Sequence, residues 1–161
     1  MIRLFIVISA LSLLVVSCNN FEKERFDEEL TLAVFVESGN TQLIENLKSV
    51  NVYKIKTDHF HSEDWLIKKR LSSFRITDKE LIKKIVEELN YNNSFSFPEK
   101  LDPQGLEYHV IAVLSENQKA YLRLIRDNSC SDCFKARPLT EAVYQLNLGG
   151  TLMGNIINKL K

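Results

Sequence analysis

The segment from Thr77 to Leu89, TDKELIKKIVEEL, constrains the fold of this chain more than any other. Leu81, Ile82, Ile85, Val86 and Leu89 recur at three- and four-residue spacing. Lys79, Lys83, Lys84, Glu87 and Glu88 lie mostly off that stripe. This is the period of an α-helix with one buried face. Thr77 and Glu80 have the spacing of a capping box, in which hydroxyl and carboxylate each satisfy an orphan backbone N–H, and Asn90 to Asn93 end the run. Most of such a helix's stability comes from packing its apolar stripe, so the rest of the chain must supply an apolar surface.

That surface is expected to be a sheet. Glu107–Ser115 (EYHVIAVLS) and Lys119–Arg126 (KAYLRLIR) are strand-like runs separated by the short polar turn ENQ, which is a hairpin signal. Leu30 to Ser38 (LTLAVFVES) is rich in β-branched and aromatic residues and predicts a buried strand, broken by Gly39 and Asn40. Leu43, Ile44 and Leu47 suggest a short helix. NVYKIKT alternates like a strand, with WLIKKRL as a pairing partner and DHFHSED as their connection. Val143–Leu146 adds a further strand, and Leu148, Leu152, Ile156 and Leu160 predict a C-terminal helix. The expectation is an α+β domain: a small antiparallel sheet with helices packed on one face.

The N-terminus follows a different logic. Arg3 is the only charge among the first 17 residues, and Leu4 to Val16 form an almost wholly apolar run of 13. A bilayer-spanning helix needs about 20 such residues. A short basic start, an apolar middle and small residues at its end describe a secretory signal peptide. Val15-Val16-Ser17-Cys18 resembles the lipobox of bacterial lipoproteins, in which an aliphatic residue, a tolerant position and a small residue precede the cysteine. The resemblance covers about the first 20 residues. It implies that residues 1–17 are removed, that Cys18 receives a diacylglyceryl group on its sulfur, and that its freed amino group is acylated. Two or more acyl chains anchor stably where one holds only marginally. Asn19, standing where lipoproteins kept in the inner membrane often carry Asp, implies an outer-membrane destination. Residues 18–30 then form a lipidated, acidic tether, and 31–161 a single domain.

Formal net charge is zero, from 21 basic and 21 acidic side chains, and no basic tract is present, which argues against a nucleic-acid partner. With Cys18 lipidated, Cys130 and Cys133 remain as an even pair in an oxidising compartment, where a disulfide is expected. Cys130-Ser-Asp-Cys133 could instead be a thiol–disulfide redox site. However, only 28 residues follow it, and Pro138 soon interrupts any helix, so a disulfide at a hairpin tip is favoured. His59 and His61, at i and i+2 in DHFHSED, could share a metal, but a catalytic zinc normally needs three protein ligands, and a solvated loop is favoured. Gly149, Gly150 and Gly154 in GGTLMG lack the Lys-Ser/Thr ending of a P-loop and suit close packing better than phosphate binding. Tyr91, Phe95 and Phe97 lie in or beside a long connection and are either a partner patch or a lid on the core.

No cofactor motif, nucleophile elbow or H-E-x-x-H helix occurs. The reading from sequence is a lipid-anchored envelope protein whose domain binds a protein or envelope component without catalysis. An envelope enzyme, acting through Cys130 and Cys133 or through His59 and His61, is the alternative. A structural assembly lipoprotein is a third.

Overall fold

The computed structural model describes residues 26–37, 40–56, 62–96, 106–127, 130–138 and 143–160. Seven strands form one antiparallel sheet: β1 (Ser49–Ile55), β2 (Ser72–Ile76), β3 (Asn93–Ser96), β4 (Glu107–Ser115), β5 (Gln118–Arg126), β6 (Cys133–Arg137) and β7 (Val143–Asn147). Their order across the sheet is β2-β1-β4-β5-β6-β7-β3. The helices among the described residues are α1 (Glu28–Phe35), α2 (Thr41–Asn46), α3 (Glu63–Lys69), α4 (Lys79–Tyr91) and α5 (Leu152–Lys159). The architecture is α+β, as the sequence predicts.

Even-numbered residues of the central strands (Val50 and Val52, Val110 and Ala112, Leu122 and Leu124, Phe134) share one core with the stripe of α4 and with residues of α1, α2 and α5. Ile82, Ile85, Val86 and Leu89 are fully buried there, so the stripe on α4 finds the apolar surface it requires. The helix begins one residue later than the capping box predicts: Asp78 is the N-cap and its carboxylate accepts from Leu81 N at 3.0 Å. α5 is held at both ends by its neighbours. Glu88 Oε2 of α4 accepts from Leu152 N and Met153 N, and Lys54 Nζ donates to the Leu160 carbonyl.

The opposite face carries a smaller cluster: Phe26, Tyr53, Ile55, Leu66, Ile111 and Tyr121, with Trp65 and Val113 against it. The short helix α3 lies here, so the helical layer on the first face has a single counterpart on the second.

Three segments take a structure other than the one expected, and β6 forms where no strand was expected. Leu30–Ser38 was expected as a strand, but Glu28–Phe35 is a helix, because Asp27 caps it by accepting from Leu30 N and its buried residues (30, 31, 34, 35) fall at helical spacing. Packing therefore begins no later than Phe26, inside the span expected to be tether. WLIKKRL was expected to pair as a strand, yet Glu63–Lys69 is helical. Ser62 caps Trp65 N, acids sit in the first turn and lysines in the last. The pairing strand is β2, just beyond it. Asn93–Ser96, expected as a connection, is the edge strand β3, paired with β7.

α1 serves a structural purpose that follows from strand length. β6 covers only Arg123–Arg126 of β5, leaving the first half of β5 open on that side. The start of α1 fills the gap: Asp27 N donates to the Lys119 carbonyl, and Tyr121 N donates to Thr31 Oγ1. Gly154 in α5 is required by close approach, since a Cβ there would run into the Leu148 carbonyl oxygen and lie 3.2 Å from Thr151 Oγ1, the helix N-cap. Gly154→Ala is expected to cost about 3 kcal/mol, the upper range for overpacking, read from the urea midpoint.

Candidate functional site

Odd-numbered residues of the central strands face the second cluster, and the register sets them side by side. Asn51 pairs with Arg75 and Ile111, Tyr53 with Ser73 and His109, and His109 with Arg123. Two polar networks result. In the inner one, Arg123 forms a two-pronged pair with Glu107, with Nε 2.8 Å from Oε2 and a second nitrogen 2.5 Å from Oε1. His109 Nε2 lies 3.3 Å from Glu107 Oε2, and His109 Nδ1 is 2.6 Å from the Tyr121 hydroxyl. Glu107 and His109 are 1% and 0% exposed, so a bound substrate has no direct access to them.

Burial holds the His109 pKa below its ordinary 6.5, and the neighbouring Glu107 carboxylate opposes that shift without overcoming it. Burial alone would raise Glu107, but the hydrogen bonds from His109 and Arg123 outweigh it and leave the carboxyl below its ordinary 4.5. As pH falls through 6.5, the unfolded chain takes up a proton at this histidine that the folded chain refuses. Stability is therefore full above that range and declines below it, and Glu107 extends the decline to lower pH. The urea midpoint is expected to fall steadily from about pH 7 to pH 4, with the upper part of the slope flattened in His109→Asn. A midpoint that rises between pH 7 and 5 would contradict this network.

The outer network opens to solvent. Glu63, at the start of α3, accepts through Oε1 from Asn51 Nδ2 (3.1 Å) and from the Tyr53 hydroxyl (2.8 Å), while its Oε2 pairs with Lys119 Nζ at 2.8 Å. Burial first, and then the hydrogen bond to Glu63 and its charge, push the Tyr53 hydroxyl well above its ordinary value and keep it a donor. These residues form the floor of a groove of about 700 Å³ between α3, the β1–β2 pair and the β4–β5 turn. Its lining brings Lys48, Arg70, Arg75 and Lys119 against only Glu63 and Glu116. Glu63 is already engaged by Lys119. Among the described residues Arg75 and Lys48 have no ion pair, and the Arg70 side chain donates only to the Ile67 carbonyl. In a chain of zero net charge this is a local cationic concentration, of the size of a small-ligand cleft.

The residues singled out by sequence are elsewhere. Cys130 and Cys133 are disulfide-bonded across the β5–β6 connection, with Cα atoms 5.2 Å apart. His59, His61 and Phe97 lie outside the described residues, as does Cys18. Glu63 and Asp64 of the same histidine-bearing segment belong to α3. Among the described residues, no three His, Cys, Asp or Glu side chains are grouped to hold a metal ion. Tyr91 ends α4 and is 89% exposed, and Phe95 lies in β3 opposite Tyr144. Gly150 takes φ 74° in the turn before α5, which explains one glycine of GGTLMG by backbone geometry.

Sequence reasoning missed both networks. The hairpin turn at Glu116–Asn117 was not signal enough: continued without interruption it would set His109 opposite Leu124, and only the register shift between Val113 and Ser115 brings His109 opposite Arg123 and Ile111 opposite Tyr121, with Glu107 one step along the same face. The groove had no such signal, since α3 had been read as a strand.

Comparison with known proteins finds no match, whether to a family model, a curated protein or a solved structure.

Proposed function

We propose that this chain is a lipoprotein of the bacterial envelope, anchored through lipid on Cys18, whose domain is a non-catalytic binding module. The groove between α3 and β1–β2 is its binding site. The observation that carries the reading is the convergence of Lys48, Arg70, Arg75 and Lys119 on one open cleft with a preorganised floor of Asn51, Tyr53 and Glu63. Preorganised polar groups bind without the ordering cost that a flexible loop incurs. The His109–Glu107 pair, which could otherwise do acid–base chemistry, is sealed beneath Tyr121 and does not line the groove. The lipid then raises the effective concentration of the groove at the membrane surface.

In cells, a photo-reactive amino acid at position 67, on the groove rim, tests this reading. It is expected to capture a specific envelope molecule, protein or lipid, that the same probe at the exposed position 84 on α4 does not capture. Arg75→Glu is expected to abolish that capture, and Cys18→Ala to reduce it. Identical products from positions 67 and 84 would overturn the groove as a binding site.

A further inference from the structure

Resting on the anchored-module reading, we propose that the groove binds the phosphate headgroup of an anionic phospholipid from the membrane that carries the anchor. Three features of the molecule converge on this. The first is charge: Arg70, the C-cap of α3, and Arg75 of β2, opposite Asn51 in the strand register, both line the groove. A guanidinium fork suits a phosphate oxygen pair, and Lys48 adds a third cation on the same cleft.

The second is the apolar shoulder beside those cations. Ile67 and Phe74 line the groove at 42% and 46% exposure. A purely hydrophilic anion would leave both in water, whereas a lipid covers them with the glycerol and the first acyl carbons. At the floor, Asn51 is 9% exposed, and its Oδ1 has no hydrogen-bond partner. That oxygen is itself covered, so it marks an unsatisfied floor rather than a contact open to the ligand.

The third is position. The chain enters the packed body at Phe26, whose ring lies 5.2 Å from that of Tyr121, and Asp27 N donates to the carbonyl of Lys119, a wall of the groove. Cys18 precedes Phe26 by eight residues, a reach of at most about 28 Å. The groove therefore opens on the side of the domain where the tether begins, close to the membrane surface. The anchor holds the chain, and headgroup binding fixes which face the domain turns to the bilayer.

The test uses full-length lipidated protein in nonionic detergent, titrated with dihexanoylphosphatidylglycerol, with bound lipid counted by native mass spectrometry. One lipid per chain is expected. Arg75→Gln and Arg70→Gln are each expected to weaken it about tenfold, the effect of one charge-assisted hydrogen bond. Dihexanoylphosphatidylcholine is expected to bind at least that much more weakly, and inorganic phosphate at equal concentration to leave occupancy unchanged. Both arginines are exposed, so unchanged melting temperatures verify that the variants fold. Equal occupancy by the two lipids, or undiminished binding in both variants, would overturn the proposal. Inorganic phosphate competing as well as the lipid would make this a free-phosphate site and overturn the lipid assignment. If no lipid binds while position 67 still captures a specific envelope protein, the lipid assignment falls and the binding module stands. If both fail, the module falls with it.

Discussion

Glu107→Ala is expected to lower the unfolding free energy by about 3–5 kcal/mol, the range for removing one partner of a buried ion pair. The cost comes from what remains: the Arg123 guanidinium would keep its place on the second sheet face without the carboxylate that accepts both of its prongs, and His109 would lose the group beside Nε2. Burying two charges is itself expensive, so the pair need not be a net source of stability against an apolar replacement of like shape. Glu107→Leu with Arg123→Leu is accordingly expected to lose much less than Glu107→Ala alone. Urea unfolding of the three proteins measures both claims. A loss under 1 kcal/mol in Glu107→Ala would mean that water reaches this pair.

Phe134→Ala is expected to cost a similar 3–5 kcal/mol, for a different reason. Phe134 is 2% exposed, stands edge-on to Tyr108 with ring centroids 6.1 Å apart, and has the Arg126 guanidinium 4.9 Å above its ring. Truncation leaves a cavity walled by sheet and helix backbone that cannot collapse to fill it, and it removes a cation–π contact. Phe134 is the second residue of β6, the strand that joins the β1–β4–β5 half of the sheet to β7 and β3. Its loss is therefore expected to speed amide exchange in β6 and β7 more than in β1. Uniform exchange across the sheet would show that the two halves are not separately stabilised.

How far the sequence discloses this fold depends on the range of the interactions involved. α4, the β4–β5 hairpin and α5 were legible because each is fixed by a local period: the stripe from Leu81 to Leu89, two alternating runs about one short turn, and apolar residues from Leu148 at period four. α1 and α3 were misread because apolar and β-branched content outweighed their caps. Asp27 and Ser62, each followed by two acids, were the decisive residues. β6 was missed because CFKAR is short and follows directly on the Cys130–Cys133 turn. The groove lay furthest from local signals. Asn51, Glu63, Arg75 and Lys119 come from four elements, and only the β1–β2, β1–β4 and β4–β5 registers together with the position of α3 bring them within reach of one another.

The groove has meaning as an envelope-facing site only if the chain is held at a membrane, so the lipid on Cys18 is the claim on which the account rests. The direct measurement is the intact mass and N-terminal sequence of the full-length protein extracted from bacterial membranes. The account predicts that the chain begins at Cys18 and carries a diacylglyceryl group in thioether linkage to its sulfur. A membrane-extracted chain with a free Cys18 thiol, or one that retains residues 1–17, would contradict it.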